Sequence, residues 1–217
     1  MPNRAQNPID AAAQPTAPTS NLPLDGTTCA PSPMDETAEL FVLHVGCGPK
    51  SGTGLHPAFS GPNWTEVRFD IDPTVEPDIV GTLTDLSMIR SGSVDAVWSS
   101  HNLEHLEPHD VPKALAEFHR VLRPGGLLLV TLPDIEGVAK HIVEGNLEDP
   151  VYTSPAGPVT PLDILYGFRP FLEQGAVHYA HRTAFTAKTL SRHLANAGFE
   201  DGKLWSEDLN LWALMTR

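Results

Sequence analysis

Apolar residues in this chain come in short runs separated by glycine and polar breaks. Leu40-Phe41-Val42-Leu43-His44-Val45 is the first such run. It is short, mostly apolar and bounded by glycine, as expected of a strand buried on both faces. Glu66-Val67-Arg68-Phe69-Asp70 alternates and predicts a second strand, Ile79-Val80 a short third, and Val94-Asp95-Ala96-Val97-Trp98 a fourth. Leu127 to Leu132 is the clearest strand of all. The intervening stretches carry helix punctuation. Asp110 can cap a helix with Leu115, Phe118 and Leu122 on one face, and Pro124-Gly125-Gly126 should end it. Thr186 can cap another, with Leu190 and Leu194 one turn apart and Gly198 past its end. Lys203-Leu204-Trp205 and the run from Leu209 to Met215 predict two closing strands, with Trp64, Trp205 and Trp212 as packing residues. Strands alternating with helices imply an α/β fold with a mainly parallel sheet covered on both faces.

Two segments fall outside this rhythm. Residues 1–36 hold seven prolines and almost no large apolar residues, so they predict a disordered tail preceding a single domain at 37–217. Residues 133–182 contain Pro150, Pro155, Pro158, Pro161 and Pro170. Helical pieces are expected at 135–143 and 161–168, and no strand. A long excursion inside a compact domain predicts a lid or binding element.

Charge narrows the function classes. Against 14 Lys and Arg stand 27 Asp and Glu, a formal net charge of −13. That balance disfavours nonspecific nucleic-acid binding, which needs basic surface, and docking on anionic lipid. No apolar run approaches the ~20 residues of a membrane helix. The first twenty residues lack the apolar core of a secretory signal, and Pro2 excludes myristoylation. Cys29 lies in the tail and Cys47 in a glycine turn, so no disulfide is expected and a reducing cytoplasm is the expected location.

The first strand runs directly into Gly46-Cys47-Gly48-Pro49. Glycines there allow positive φ and close approach of a ligand. Asp70 ends the next strand 22 residues after Gly48, where a carboxylate can hold both hydroxyls of a ribose; Asp72 is placed to share that role. A nicotinamide enzyme would want Gly-x-Gly-x-x-Gly, but position 51 is Ser and Pro49 follows the second glycine. A ligand with a ribose and no pyrophosphate fits better, leaving the nicotinamide-dependent dehydrogenase as a rival reading and a non-catalytic cofactor-binding module as another.

Five motifs then occur in order: Val45-Gly46-Cys47-Gly48-Pro49, Asp70, Thr84-Asp85-Leu86, Val94–Trp98 followed by Ser99-Ser100-His101-Asn102-Leu103-Glu104-His105-Leu106, and Val121-Leu122-Arg123-Pro124-Gly125-Gly126. Together with Ala197-Gly198-Phe199 and the closing strands, this series resembles class I S-adenosylmethionine-dependent methyltransferases over about residues 40–132 and 183–217. The resemblance implies a Rossmann-like doubly wound sheet of seven strands with the last antiparallel. It implies that Gly46, Cys47, Gly48 and Pro49 pack against S-adenosyl-L-methionine and that Asp70 holds its ribose. It places Asp85, within Thr84-Asp85-Leu86, near the adenine amine, Leu86 as a backbone contact, and Ser99 or Ser100 under the sulfonium. The family usually starts a long helix after this glycine turn; here residues 50–62 look like loop. The expected partner is a small-molecule methyl acceptor reacting through oxygen or nitrogen, with nucleic acid and membrane disfavoured.

His101, Glu104, His105 and His109 follow the fourth strand and would share one helical face, although Pro108 limits such a helix. Three readings are open. The group can cap and hydrogen-bond the strand end. His101 or His105, with His181, can serve as a base or orient the acceptor. Or a divalent metal can bind, since His101-x-x-Glu104-His105 resembles the Glu-x-x-Glu-His pattern of metal-dependent small-RNA and ubiquinone-pathway O-methyltransferases, with His178 or His181 completing the shell.

Overall fold

The computed structural model describes residues 39–50 and 54–217; the tail expected at 1–36, with Cys29, lies outside the described residues. Among these described residues, nine strands and five α-helices follow in chain order. β1 (Leu40–Val45), β2 (Trp64–Asp70), β3 (Ile79–Val80) and β4 (Val94–Ser100) come first, then α1 (Val111–Val121), β5 (Leu122–Pro133) and α2 (Ile135–Val143). β6 (Tyr152–Ser154), β7 (Gly157–Val159), α3 (Pro161–Tyr166), α4 (Arg169–Glu173), α5 (Ala187–Asn196), β8 (Asp201–Glu207) and β9 (Asn210–Thr216) complete the order.

Seven strands form one sheet in the order β3-β2-β1-β4-β5-β9-β8. β1 pairs in parallel with both β2 and β4, so the winding direction reverses between β1 and β4. β9 lies antiparallel between β5 and β8, as expected. Ligand sites in such sheets lie beyond the carboxyl ends of the strands at this reversal.

The two sheet faces are covered differently. On one, Leu115 and Phe118 of α1 and Leu190 and Leu194 of α5 pack against Leu43, Val97, Leu128 and Val130. Thr186 caps α5 with a reciprocal Thr186–Thr189 box, and Gly198 follows with φ +98°. On the other, Val42, Ala96, Trp98, Leu129 and Trp212 pack beneath Leu55 and Phe59, the latter from a single 3-10 turn at Pro57–Phe59. Trp98, Trp212 and Trp205 stack in a row there, with centroids about 6 Å apart.

Several local expectations need correction. Asp110 stands at the N-cap of α1 as expected, but its side chain makes no capping bond; the carboxylate is held instead by Lys113 Nζ at 2.7 Å. Leu122 begins β5 rather than closing the helix, and the Pro124-Gly125-Gly126 turn forms a bulge inside that strand, bonded to Arg217. Residues 133–182 do contain strands: β6 and β7 form a hairpin. This segment builds a small core from Val138, Val159 and Ile164.

Candidate functional site

A cavity of about 470 Å³ opens at the carboxyl ends of β1, β2 and β4. Its floor is the turn after β1. Gly46 and Gly48 both have left-handed backbone, φ +60° and +59°. A Cβ on Gly46 would lie 1.9 Å from Asn102 Oδ1, so only glycine fits against that side chain. Asn102 is held in turn, its amide donating to Val45 O at 2.8 Å and Ser99 Oγ at 3.3 Å. The buried Arg68 guanidinium donates to the Gly48 and Glu76 carbonyls, pinning the turn from β2. Burial pushes the Cys47 thiol up to about 12, so it packs as a neutral group.

Asp70 faces this turn. One carboxylate oxygen accepts from Gly48 N at 2.9 Å and the other from Asp72 N at 2.9 Å. A carboxylate offers about four acceptor sites, so two remain for hydroxyls of a ligand. Asp72 lines the cavity too, but its carboxylate caps the following turn at Thr74 N, 2.8 Å away.

Gly46, Cys47, Gly48, Asp70 and Asp72 therefore come together on the cavity wall, and Pro49 lies just beyond it. Thr84, Asp85 and Leu86 do not line it; Thr82 and Leu83 do. Leu86 is fully buried in the core, where its N–H donates to Glu117 Oε2 and its carbonyl accepts from Arg120, both at 2.7 Å. Asp85 is exposed, and hydrogen bonds from Ser87 hold its pKa below the ordinary value. Ser99 is buried behind the wall, and Ser100 takes the expected place on it. Ile71, 65% exposed, was missed. It follows Asp70 on the cavity wall and offers an apolar surface for a flat ring. Its signal was a large apolar residue directly after the end of a strand.

The far end of the cavity is histidine-rich. His101 sits at φ +52°, a left-handed conformation uncommon for a residue with a side chain. That kink turns the chain out of β4 into a single 3-10 turn at Leu103–His105, so the helix expected to align positions 101, 105 and 109 does not form. His109 points away and is exposed. His101, His105 and His181 all line the cavity. His105 Nδ1 bonds Ala180 O at 3.2 Å and His181 Nδ1 bonds Ile164 O at 2.7 Å. A carbonyl only accepts, so each Nδ1 carries a proton, and in the neutral ring Nε2 carries the lone pair. Burial keeps the His181 pKa below the ordinary imidazole value, against the pull of Glu104.

Glu104 lies beneath these rings, 1% exposed. Burial raises its pKa, but His101, His105 and His181 outweigh burial and hold it at about 2, so it is ionised. His101 Nδ1 approaches its Oε1 at 3.2 Å. The Glu104 carbonyl accepts from Arg182 N at 2.8 Å and Thr183 N at 3.1 Å, which locks His181 beside it. His178 reaches only the exposed rim. The hairpin and helices of residues 133–182 add a largely apolar wall through Tyr152, Ile164, Phe168, Phe171 and Tyr179.

Residues 43–130 match a family described as a methyltransferase domain. Over those residues, under half of its length, the chain is similar to that family. Solved structures with similar folds include S-adenosylmethionine-dependent methyltransferases from three organisms. The Archaeoglobus fulgidus protein gives a TM-score of 0.55 at 13% identity, over 83% of this chain and 87% of that one. The Methanosarcina mazei protein gives 0.56 at 16%, over 82% and 92%. The Mesorhizobium loti protein gives 0.53 at 16%, over 84% and 93%. At such identities these likenesses concern the fold. No curated protein sequence matches the chain. The cavity lining fits S-adenosylmethionine, the cofactor that the sequence resemblance implies. The left-handed glycines leave room against Asn102, Asp70 keeps acceptor capacity for ribose hydroxyls, and Ile71 and Leu83 are apolar wall for an adenine. Among the described residues no helix is long and apolar enough to cross a membrane.

Proposed function

We propose that the domain transfers the methyl group of S-adenosyl-L-methionine to an oxygen or nitrogen of a small molecule or saccharide. One observation carries this reading. A single cavity joins the glycine turn and Asp70 to His101, His105 and His181, under the cover of residues 133–182. Bound at the glycine turn, the cofactor supplies an electrophilic methyl carbon; the chain supplies position and proton acceptance. Asp70 holds the ribose, and Gly46 and Gly48 admit the methionine portion. Ser100 stands at the strand end between the two halves of the cavity.

At the acceptor end, Glu104 faces Nδ1 of His101 and favours the tautomer whose Nε2 takes the acceptor proton, as a carboxylate does for a catalytic imidazole elsewhere. His105 and His181, fixed through Nδ1 to backbone carbonyls, orient the acceptor with their Nε2 lone pairs. The apolar wall of residues 133–182 acts as a lid that excludes water, so that alignment and desolvation favour displacement. The net charge of −13 supports a small acceptor over nucleic acid.

Calorimetric titration with S-adenosylhomocysteine, on wild type and Asp70→Ala, tests this reading. Tight binding by the wild type and its loss in the variant are expected. A well-folded wild type that binds NADH and not S-adenosylhomocysteine would overturn it.

A further inference from the structure

Glu104 is a buried carboxylate with no donor in full hydrogen-bond geometry; its near polar neighbour is His101 Nδ1, 3.2 Å from Oε1. Buried carboxylates are normally supplied with donors, yet the groups around this one are imidazoles, and two of these have already committed their Nδ1 protons to carbonyls. One donor atom each from Glu104, His105 and His181 lie within 4.8 Å of one another. A carboxylate oxygen and one ring nitrogen from each imidazole therefore converge at the acceptor end of the cavity.

We infer that Glu104, His105 and His181 bind one divalent transition-metal cation at the acceptor end of the cavity. Two imidazoles and a carboxylate suit Zn²⁺, Co²⁺ or Fe²⁺, whereas Mg²⁺ and Ca²⁺ prefer all-oxygen shells. Ligand atoms around a tetrahedral ion with bonds of about 2.1 Å lie about 3.4 Å apart, so modest side-chain rotation closes the site. The supporting bonds are already present. Each ligand imidazole donates its other nitrogen to a backbone carbonyl, the arrangement that orients metal-binding histidines. The Glu104 carbonyl holds the backbone at 182 and 183, which fixes His181 against the carboxylate from the far side of the chain. His101, the first position of the motif that resembles a metal-binding pattern, is not in the cluster; it approaches Oε1 of Glu104.

This site deepens the proposed function and rests on it only for its role. Three protein ligands leave a coordination position facing the cavity, where an acceptor oxygen or nitrogen can bind and be oriented. His105 and His181 then act through the cation, and His101 remains the imidazole that takes the proton.

The test uses full-length protein dialysed against a chelator and titrated with Co²⁺, read by visible absorption. A band saturating at one equivalent is expected. Glu104→Gln and His181→Ala should each weaken it at least tenfold, and His178→Ala, at the exposed rim, should leave it unchanged. Circular dichroism melts check that each variant is folded, and the wild-type titration stands whether or not they are. No saturable band in the wild type, or equal affinity in wild type, Glu104→Gln and His181→Ala, overturns the site. S-adenosylhomocysteine titration of the same samples separates the two readings. Cofactor binding without a Co²⁺ band removes only the metal site, and a Co²⁺ site without cofactor binding removes only the transferase reading.

Discussion

Gly46→Ala isolates the contact on which the cofactor half of the cavity depends. The new methyl would sit 1.9 Å from Asn102 Oδ1 and 2.5 Å from its Cγ, on a backbone at φ +60°. Two costs follow. Left-handed backbone costs a residue with a Cβ about 1–2 kcal/mol. Asn102 must also swing away and lose its bonds to Val45 O and Ser99 Oγ, about 1 kcal/mol each. The total is about 3–4 kcal/mol. If the turn instead relaxes toward negative φ, the cost appears as lost cofactor affinity, a hundredfold or more at about 1.4 kcal/mol per decade. If it does not relax, it appears as a melting temperature lower by roughly 6–16 °C for a domain of this size. Calorimetry with S-adenosylhomocysteine and a thermal melt together capture both. Asn102→Ala in the same background removes the clash but not the strain, so the double variant should lose less than the sum of the singles. Wild-type affinity and melting temperature in Gly46→Ala, or strict additivity with Asn102→Ala, would refute the reasoning.

Two further outcomes test the packing that frames the site. Trp98→Phe removes the indole N–H that donates to Gly54 O at 2.7 Å and thins the stack with Trp212; a loss of about 2–3 kcal/mol is expected in urea unfolding, and a loss under 0.5 kcal/mol would show that the loop over this sheet face is held by other contacts. Asp163 is buried, which pushes its pKa up, but hydrogen bonds from Arg169 and Thr160 prevail and hold it below the ordinary value. A carboxylate depressed in the folded state stabilises above its unfolded pKa, about 3.9, and that stability is lost as pH falls through the folded value. The melting-temperature gap between wild type and Asp163→Asn should therefore be constant from pH 8 to pH 5 and shrink below about pH 4; an equal gap at pH 3 and pH 7 would contradict the assignment.

The parts of this molecule legible in the sequence are those fixed by local pattern. β1 could be read because an apolar run stops at glycine, and the end of β2 because Asp70 closes an alternating run. α5 was visible through Thr186, Leu190, Leu194 and Gly198. What escaped depends on contacts distant along the chain. The β6–β7 hairpin carries Pro155, Gly157 and Pro158, which read as breakers, and it exists because Val159 packs with Val138 and Ile164. The helix expected through His101 and His105 is interrupted by one left-handed residue, which no periodicity reveals. Leu86 shared a motif with Asp85, but Glu117 and Arg120 of α1 hold its backbone in the core, so the wall passes to Thr82 and Leu83. The convergence of His181 on Glu104 is set by backbone bonds from Arg182 and Thr183, 78 and 79 residues further along the chain.

The segment from Ser99 to His105 explains why both halves of the cavity are built to one standard. Asn102 ties it to β1 and thereby to the glycine turn. His101 N donates to Thr131 O of β5, which anchors the left-handed kink against the central sheet. Three residues on, the Glu104 carbonyl holds the backbone of Arg182 and Thr183. A shift at the cofactor turn must therefore move His101 and Glu104, because fewer than five residues of bonded chain separate them. Close packing transmits such shifts rather than absorbing them. On the proposed function, the spacing between a methyl donor at the glycine turn and an acceptor beneath His105 and His181 is thus set by this strand end, and alignment of donor with acceptor is a main lever on displacement at a methyl carbon.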